Sequence, residues 1–550
     1  MVKIVLCSIN SKFIHSSLGV WYLKAAMIDL REVECVVIEA TINEDIDEIY
    51  ERIVDEKADI VGFSTYIWNK LTVLELAKRV RNATKAKILL GGPEVSYNAK
   101  EIMEENEFVD YIISGEGEEP IRQLSMGYAP DQIDGLIYKK GGEVYEKSPC
   151  VMTSDPPNPY TDEYFERLNG RIAYIETSRG CPFKCAFCLS GRCGGVRFFN
   201  LEQAKSNIIK LANSGTQTVK FIDRTFNADK KRAREIFEFL IDSYEISIPS
   251  GVCFHFEIEG ELLDEETFEV LRRAPKGLLQ FEVGVQSFNY ETLKAIDRKA
   301  NIEKLKENVK SLIKLGNIHT HIDLIVGLPF EGYESFKASF NEAYSLKSHM
   351  LQIGFLKLLH GTKMRENQVG KYAFSHTPPY EIEENEWLSR ENLIELHMLE
   401  DVFEKMYNSR RFGLTCEYLE RKFATPFEIY AGFAKFLSES GGDNSLDTFT
   451  EHMYNFFAKF DNVNNDELRD CLAIDRLATN RMGALPYFLK YHSPLLKSTL
   501  NDLEKNEDTK SHKGIKRAAT VLKSKRVLAY VDYTVRDYVT NRFLVKFTEI

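Results

Sequence analysis

Between residues 1 and 130 the chain alternates short, uninterrupted apolar runs with polar segments of helical length: "KIVLCSI", "CVVIEA", "DIVGFST", "KILLGG" and "VDYIISG" are the runs. A strand that is apolar on both faces must be covered on both faces, so five such strands joined by four helices predict a doubly wound, Rossmann-like parallel sheet. Length agrees, because 550 residues exceed one ordinary core and suggest two or three domains. The Gly/Pro-rich stretch 131–169, with "YKKGGEVYEKSPC" and "SDPPNPYTD", reads as a hairpin and linker.

From residue 170 the alternation resumes with "RIAYIETS", "TVKFID", "GVCFHFEI", "LLQFEVGVQS", "HIDLIVGLP" and "MLQIGFLKL". These six β/α units, residues 170–375, predict a partial TIM-like barrel with its chemistry at the C-terminal strand ends. Residues 376–550 lose the strand signal and read as a helical C-terminal domain. The expected class is α/β throughout the first two domains.

The ten cysteines are scattered except for one tight group, which is no disulfide framework and fits a reducing cytoplasm. No window is long and apolar enough for a bilayer and the N-terminus has no signal pattern, so a soluble chain without membrane contact is expected. A net charge of -12 argues against an extended nucleic-acid surface. The basic run "KSHKGIKRAATVLKSKR" is the local exception and reads as a solvated helix face or linker.

The tight group lies in "ETSRGCPFKCAFCLSG", where Cys181, Cys185 and Cys188 stand as C-x3-C-x2-C directly after a strand. Structural zinc takes four ligands in two separated pairs, which this loop lacks. Three thiolates suit a [4Fe-4S] cluster and leave one iron open. Cys193 reads as a bystander, since a fourth thiolate would fill the vacancy.

This spacing, with Phe187 before the last cysteine and a β/α barrel behind it, resembles the radical S-adenosylmethionine superfamily. The resemblance implies that S-adenosylmethionine chelates the open iron and is cleaved reductively to methionine and a 5'-deoxyadenosyl radical, with the cofactors carrying the hard chemistry. "GVQSFNYETLKAIDRK" and "DLIVGLPFE" are similar to segments of the oxygen-independent coproporphyrinogen oxidase branch. That similarity implies Gln286 at the ribose or methionine, Arg298 on the methionine carboxylate, Asp323 on the ribose hydroxyls and Glu257 as the acid ending the third strand. The family's Gly-Gly-Glu is absent; in its place "FIDRTFNAD" offers Asp223 as acceptor for the methionine amino group, with Arg224 and Asn227 as helpers, against a helix-capping role for Asp223.

At the strand ends of the first domain stand Ser64 and Thr65, then Gly91 and Gly92, then Gly115, Glu116 and Gly117 in "GEGE". Adjacent glycines allow a bulky ligand close to the backbone, and the trio resembles the cobalamin-binding domains of the cobalamin-dependent branch. The D-x-H-x-x-G motif is absent, so His15 reads as a loop hydrogen bond rather than a cobalt ligand. Tyr66, Trp68 and Tyr97 are corrin-side candidates, and a vestigial module without cobalamin is the alternative.

The resemblance implies an enzyme with a [4Fe-4S] cluster, S-adenosylmethionine and cobalamin that methylates an unactivated carbon of a small-molecule or peptide substrate. Electrons would come from a low-potential donor such as flavodoxin or ferredoxin. Radical cyclisation, rearrangement or oxidation without methylation, RNA modification, and a cobalamin or redox sensor are the alternatives.

Overall fold

Met1–Arg273, with Ile296–Arg298 and Leu356–Ile382, makes one unit of the fold, and Ala274–Ala295, Lys299–Phe355 and Glu383–Ile550 make the other. The computed structural model describes residues 1–192, 194–367, 371–441, 445–479, 485–490, 499, 519–537 and 539–549. Cys193 and residues 510–518 of the basic run lie outside the described residues.

The first unit opens with β1 (Val2–Asn10), β2 (Val33–Thr41), β3 (Ile60–Ser64), β4 (Lys87–Gly91) and β5 (Tyr111–Ile113), parallel in the order β2-β1-β3-β4-β5. The strand order reverses at β1, so a ligand crevice is expected beyond the ends of β1 and β3. Helices close both faces. Lys70–Ala83, for example, buries Val73, Leu76, Ala77 and Val80 at the three- and four-residue spacing of one helix face. Two antiparallel strands, β6 (Leu136–Lys140) and β7 (Glu143–Tyr145), extend the sheet beyond β5. Gly141 and Gly142 turn the chain between them with φ of 65° and 89°, a left-handed pair that side chains disfavour.

Next come β8 (Ala173–Ile175), then a hairpin of β9 (Ser178–Cys181) and β10 (Gly195–Phe198), then β11 (Thr218–Phe221) and β12 (Cys253–Ile258). β11 pairs in parallel with β8 and β12. Phe221, Phe226, Phe237 and Phe256 pack ring on ring beneath these strands, which sets the strand ends on a rigid floor.

The second unit holds β13 (Leu279–Gln286), β14 (His319–Val326) and β15 (Met350–Phe355), again parallel. It continues as helices Arg390–Phe403, Gly413–Glu420, Pro426–Ser440, Leu446–Phe457 and Asn465–Thr479 around an aromatic core that includes Phe340, Phe403 and Tyr430. The α/β class with a helical C-terminal region is what the chain adopts.

One element was not foreseen: an antiparallel sheet of Ala519–Val521, Val527–Arg536 and Phe543–Glu549 closes the chain. The buried Asp475 carboxylate of the last long helix accepts from Thr415 N and Oγ1, both at 2.8 Å, and from Arg542 Nη2 at 2.6 Å just ahead of the final strand. The described end of the basic run is therefore strand and turn, not helix, with Lys523, Lys525 and Arg526 exposed in the turn.

Candidate active site

The hairpin β9–β10 carries the cysteine loop. Gly180, with φ of 99°, lies so close to its partner strand that a Cβ there would sit 1.9 Å from Gly195 O, so only glycine lets the strands meet. Cys181 ends β9, and its Sγ lies 3.3 Å from Thr225 Oγ1. The loop is pinned from both sides: Ala186 N donates to Ile296 O at 2.9 Å, and Met364 N donates to Ala186 O at 3.1 Å. Phe187 is half-buried within it, and Cys188 N donates to Cys185 O at 3.1 Å.

Cys185 is the buried member of the three. Burial pushes its thiol up, and the Arg298 guanidinium, with Nη1 3.8 Å from Sγ, pulls it back. That cation favours the thiolate, the form that binds iron. Arg298 is itself held by Glu259, Nη2 to Oε2 at 2.8 Å, with both side chains under one-tenth exposed. Asn227 fixes Glu259 in turn, accepting from its N at 2.8 Å and donating to its O at 2.9 Å. Arg298, the residue expected at the methionine carboxylate, thus stands between Glu259 and the Cys185 sulfur. Sequence reasoning took Glu257 of "FEIEG" and missed Glu259 two residues on. Glu257 stands half-buried, 3.9 Å from both Lys220 Nζ and Arg224 Nη1.

Asp223 is 1% exposed, and it accepts from Thr177 N at 3.0 Å, Thr177 Oγ1 at 2.7 Å and Ser178 Oγ at 2.6 Å. Its carboxylate thus ties the end of β11 to the segment entering Cys181. Burial raises its carboxyl although these donors oppose the shift. The capping role falls to Asp229, which accepts from Arg232 N at 3.0 Å ahead of helix Lys230–Ser243.

In the sheet domain, Ser64 Oγ and Thr65 Oγ1 are buried with no hydrogen-bond partner among the described residues. A buried hydroxyl left unsatisfied is costly, so this pair at the end of β3 asks for a ligand. Gly91 leaves open space where a side chain would stand, whereas Gly92, with φ of 106°, brings its backbone onto Thr65 O, 2.5 Å from the site of a Cβ. Gly115, with φ of 88°, is closed in the same way by Cys150 O at 2.3 Å, and Gly117 by Leu23. Of these glycines only Gly91 faces free space. The Glu116 carboxylate is taken by Arg179 and Arg197, each at 2.6 Å; burial alone would raise it, yet the two cations hold it below its ordinary range.

His15 Nδ1 lies 2.6 Å from Tyr174 Oη, so the histidine makes the loop hydrogen bond expected of it. Around the crevice Tyr66 and Trp68 stack at 4.5 Å, while Phe13, Trp68, Leu71 and Tyr97 remain 40% or more exposed. Singly such residues are ordinary, but grouped at one sheet edge they form an apolar rim. A separate groove of about 500 Å³ lies beside Tyr97, lined by charged groups including Lys100, Glu101, Arg365 and Glu366; neither the cysteines nor the hydroxyl pair line it.

In the second unit, Gln286 ends β13 in the left-handed region, φ 71°, at an irregularity in its pairing with β14. Such strain in a non-glycine residue gathers at functional sites. Asp323 lies on β14 with Oδ1 2.9 Å from His321 Nε2. Beside Gln286, the buried Glu331 accepts from Ser287 Oγ at 2.7 Å and Ser339 Oγ at 2.6 Å, a lock on the "GLPFE" turn that the sequence did not announce.

A doubly wound sheet with unfilled hydroxyls at its crevice, followed by a three-thiol loop at the head of parallel β/α strands, defines an iron–sulfur α/β protein with a second cofactor domain. In sequence the chain is similar to the radical S-adenosylmethionine proteins that carry a B12-binding domain. Residues 175–343 match the radical SAM superfamily, residues 4–125 the B12 binding domain, and residues 370–544 a family described as a protein of unknown function, DUF4080.

Among curated proteins it is 27% identical over 353 residues to the cobalamin-dependent radical SAM methyltransferase TokK of Streptomyces tokunonensis, covering 59% of this chain and 49% of that one. It is 26% identical over 320 residues to the 2-(S-pantetheinyl)-carbapenam-3-carboxylate methyltransferase of Streptantibioticus cattleyicolor, covering 53% and 45%. The chain thus spans about half the length of these two relatives. In fold it is similar to the cobalamin-dependent S-adenosylmethionine radical enzyme OxsB with aqua-cobalamin and S-adenosylmethionine bound, at 15% identity, TM-score 0.61, and 92% and 81% coverage. The methyltransferase TsrM from Kitasatospora setae, with cobalamin and a [4Fe-4S] cluster bound, follows at 18% identity, TM-score 0.58, and 69% and 79% coverage.

The residues present fit these groups. Among the described residues no three thiol, imidazole or carboxylate groups converge as ligands of a single ion would; a multi-iron cluster takes its thiolates on different irons and needs no such convergence. The unpaired Ser64 and Thr65 hydroxyls, beside the open Gly91, suit a polar ligand tail in the crevice. No helix among the described residues is long and apolar enough to cross a membrane.

Proposed function

We propose that this protein is a cobalamin-dependent radical S-adenosylmethionine enzyme that methylates an unactivated carbon. The observation that carries the reading is one structural unit holding both a thiol loop steered by Arg298 and a crevice with unfilled hydroxyls at Ser64 and Thr65. Residues 1–130, 170–375 and 376–550 would be the cobalamin, radical and C-terminal domains, joined by 131–169. When bound, the cluster with S-adenosylmethionine supplies a 5'-deoxyadenosyl radical and cobalamin supplies the methyl group.

The chain's own part is geometry. Cys181, Cys185 and Cys188 would hold the cluster, and Arg298 would offset part of the burial that holds the Cys185 thiol up. Phe187 would shield the loop, while Gln286, Glu257 and Asp323 would orient S-adenosylmethionine at the strand ends. Asp223 would act one step back, holding Thr177 and Ser178 so that Cys181 enters at a fixed angle. Ser64, Thr65 and Gly91 would receive the cobalamin tail, with Gly92 packed against Thr65 behind them, and the Tyr66–Trp68 stack with Tyr97 would exclude water beside the corrin. Fixing reactants in this way converts a demanding encounter into an intramolecular one. A small molecule or peptide is the substrate in this reading, a flavodoxin- or ferredoxin-type protein the donor, and the cytoplasm the compartment.

The test is anaerobic reconstitution with iron, sulfide and hydroxocobalamin. Roughly four irons and one cobalamin per chain, with both 5'-deoxyadenosine and S-adenosylhomocysteine as products, are expected. Protein that binds no cobalamin sinks the reading. Formation of 5'-deoxyadenosine without S-adenosylhomocysteine would favour cyclisation, the activity named for the anaerobic magnesium-protoporphyrin IX monomethyl ester cyclase of Cereibacter sphaeroides, 24% identical over 319 residues.

A further inference from the structure

Arg179, two residues before the first cysteine of the loop, engages three carboxylates, two from a distant turn and one three residues back. Its Nη1 donates to Glu116 Oε2 at 2.6 Å, its Nη2 to Glu118 Oε1, and its Nε to both oxygens of Glu176 at 3.0 Å. Glu116 and Glu118 belong to the Gly-Glu-Gly-Glu turn after β5, whereas Glu176 follows β8. From the other strand of the cysteine hairpin, Arg197 adds Nη2 to Glu116 Oε2 at 2.6 Å and donates through Nη1 to Met152 O. The rings of Tyr22 and Phe199 lie 5.3 and 5.8 Å from the Arg179 guanidinium. Every charged side chain in the set is three-quarters or more buried. A planar fork that places each nitrogen against a different carboxylate is specific to arginine; a lysine ammonium cannot reproduce it.

We infer that Arg179 is a positioning residue, a clamp that fixes the cysteine hairpin against the fifth-strand turn and so sets the separation and angle between the cluster loop and the cobalamin crevice. Glu116 and Glu118 are the fixed half of the clamp rather than ligands of the cofactor. Gly115 and Gly117 let that turn pack tightly on Cys150 and Leu23, which leaves it no slack. The inference rests on the proposed function for what the clamp aligns, and on geometry alone for the clamp itself.

The experiment compares native protein with Arg179→Lys, both reconstituted, by measuring bound iron and cobalamin, the spin–spin coupling between the reduced cluster and cob(II)alamin by electron paramagnetic resonance, and the ratio of 5'-deoxyadenosine to S-adenosylhomocysteine formed from added S-adenosylmethionine. We expect both cofactors to remain bound within about twofold, the coupling to weaken and broaden, and the ratio to rise about tenfold or more, since a misplacement of an ångström is that costly in an aligned site. Unchanged coupling with an unchanged ratio overturns the inference. Should Arg179→Lys lose a cofactor or fail to fold, Glu118→Gln, which keeps an acceptor and removes one charge, is judged by the same two readouts.

If native protein binds no cobalamin, the proposed function fails first. The clamp is then decided by hydrogen exchange in the cofactor-free protein. Amides of Ser178–Cys181 and Gly195–Phe198 exchanging at least about tenfold faster in Arg179→Lys support it, and equal rates overturn it.

Discussion

Arg298 and Glu259 meet in a buried ion pair at 2.8 Å, and the same guanidinium reaches to 3.8 Å from Cys185 Sγ. The carboxylate holds the cation, and the cation steadies the thiolate. Removing the acid therefore acts in two places. Glu259→Leu should destabilise the cofactor-free protein by about 3 kcal/mol, because it strands a buried charge. Bound iron after reconstitution should fall with it. Chemical denaturation and iron analysis on the same preparation check both, and full iron content with unchanged stability would remove the pair from the site.

Asp223 has two readings that one variant separates. With three donors on its carboxylate, Asp223→Asn should cost about 2 kcal/mol of stability, since the amide cannot accept from all three. If Asp223 also met the amino group of S-adenosylmethionine, affinity for S-adenosylmethionine would drop together with stability. Denaturant midpoints and ligand titration distinguish the two.

Glu176 carries a pH dependence with a definite sign. Burial is the main cause that lifts its carboxyl from 4.5 to about 7, against the pull of Arg179. The folded state then holds a proton that the unfolded state has already released, so stability falls as pH rises from about 4.5 to about 7 and levels above that. The full span is of the order of 3 kcal/mol. Glu176→Gln should flatten this part of the profile in urea denaturation across that window, and an unchanged slope would assign it to other groups.

Thr65→Val keeps the shape and deletes the unfilled hydroxyl. In the cofactor-free protein it should be neutral or stabilising by up to about 1 kcal/mol, because no hydrogen bond is lost. Cobalamin affinity should drop about tenfold, the equivalent of roughly 1.4 kcal/mol. Equal affinity would take Thr65 out of the crevice.

Gly180→Ala should be far worse than Gly215→Ala, although both positions have positive φ, 99° and 82°. At Gly215 a methyl meets open space and costs about 1 kcal/mol of backbone strain. At Gly180 it would strike Gly195 O, so β9 and β10 must part and the iron content should fall. Melting temperatures and iron analysis of the pair check the contrast.

What could be read along the chain was local. Apolar runs of strand length forecast the two parallel series, and a thiol spacing of three and two forecast the cluster loop, because both signals lie within a few neighbouring residues. The ending sheet escaped because its short "ATV" strand stands isolated beside a basic run. Partners for the charges escaped altogether. Arg298 lies 39 residues from Glu259, and Arg179 lies 63 and 61 residues from Glu116 and Glu118. Spacing of that length carries no register, and a buried guanidinium takes whichever carboxylate folding brings to it. Residue types and their order thus declared the class of chemistry. The tertiary structure decided which protein groups Asp223, Glu116 and Arg298 meet around the cysteines.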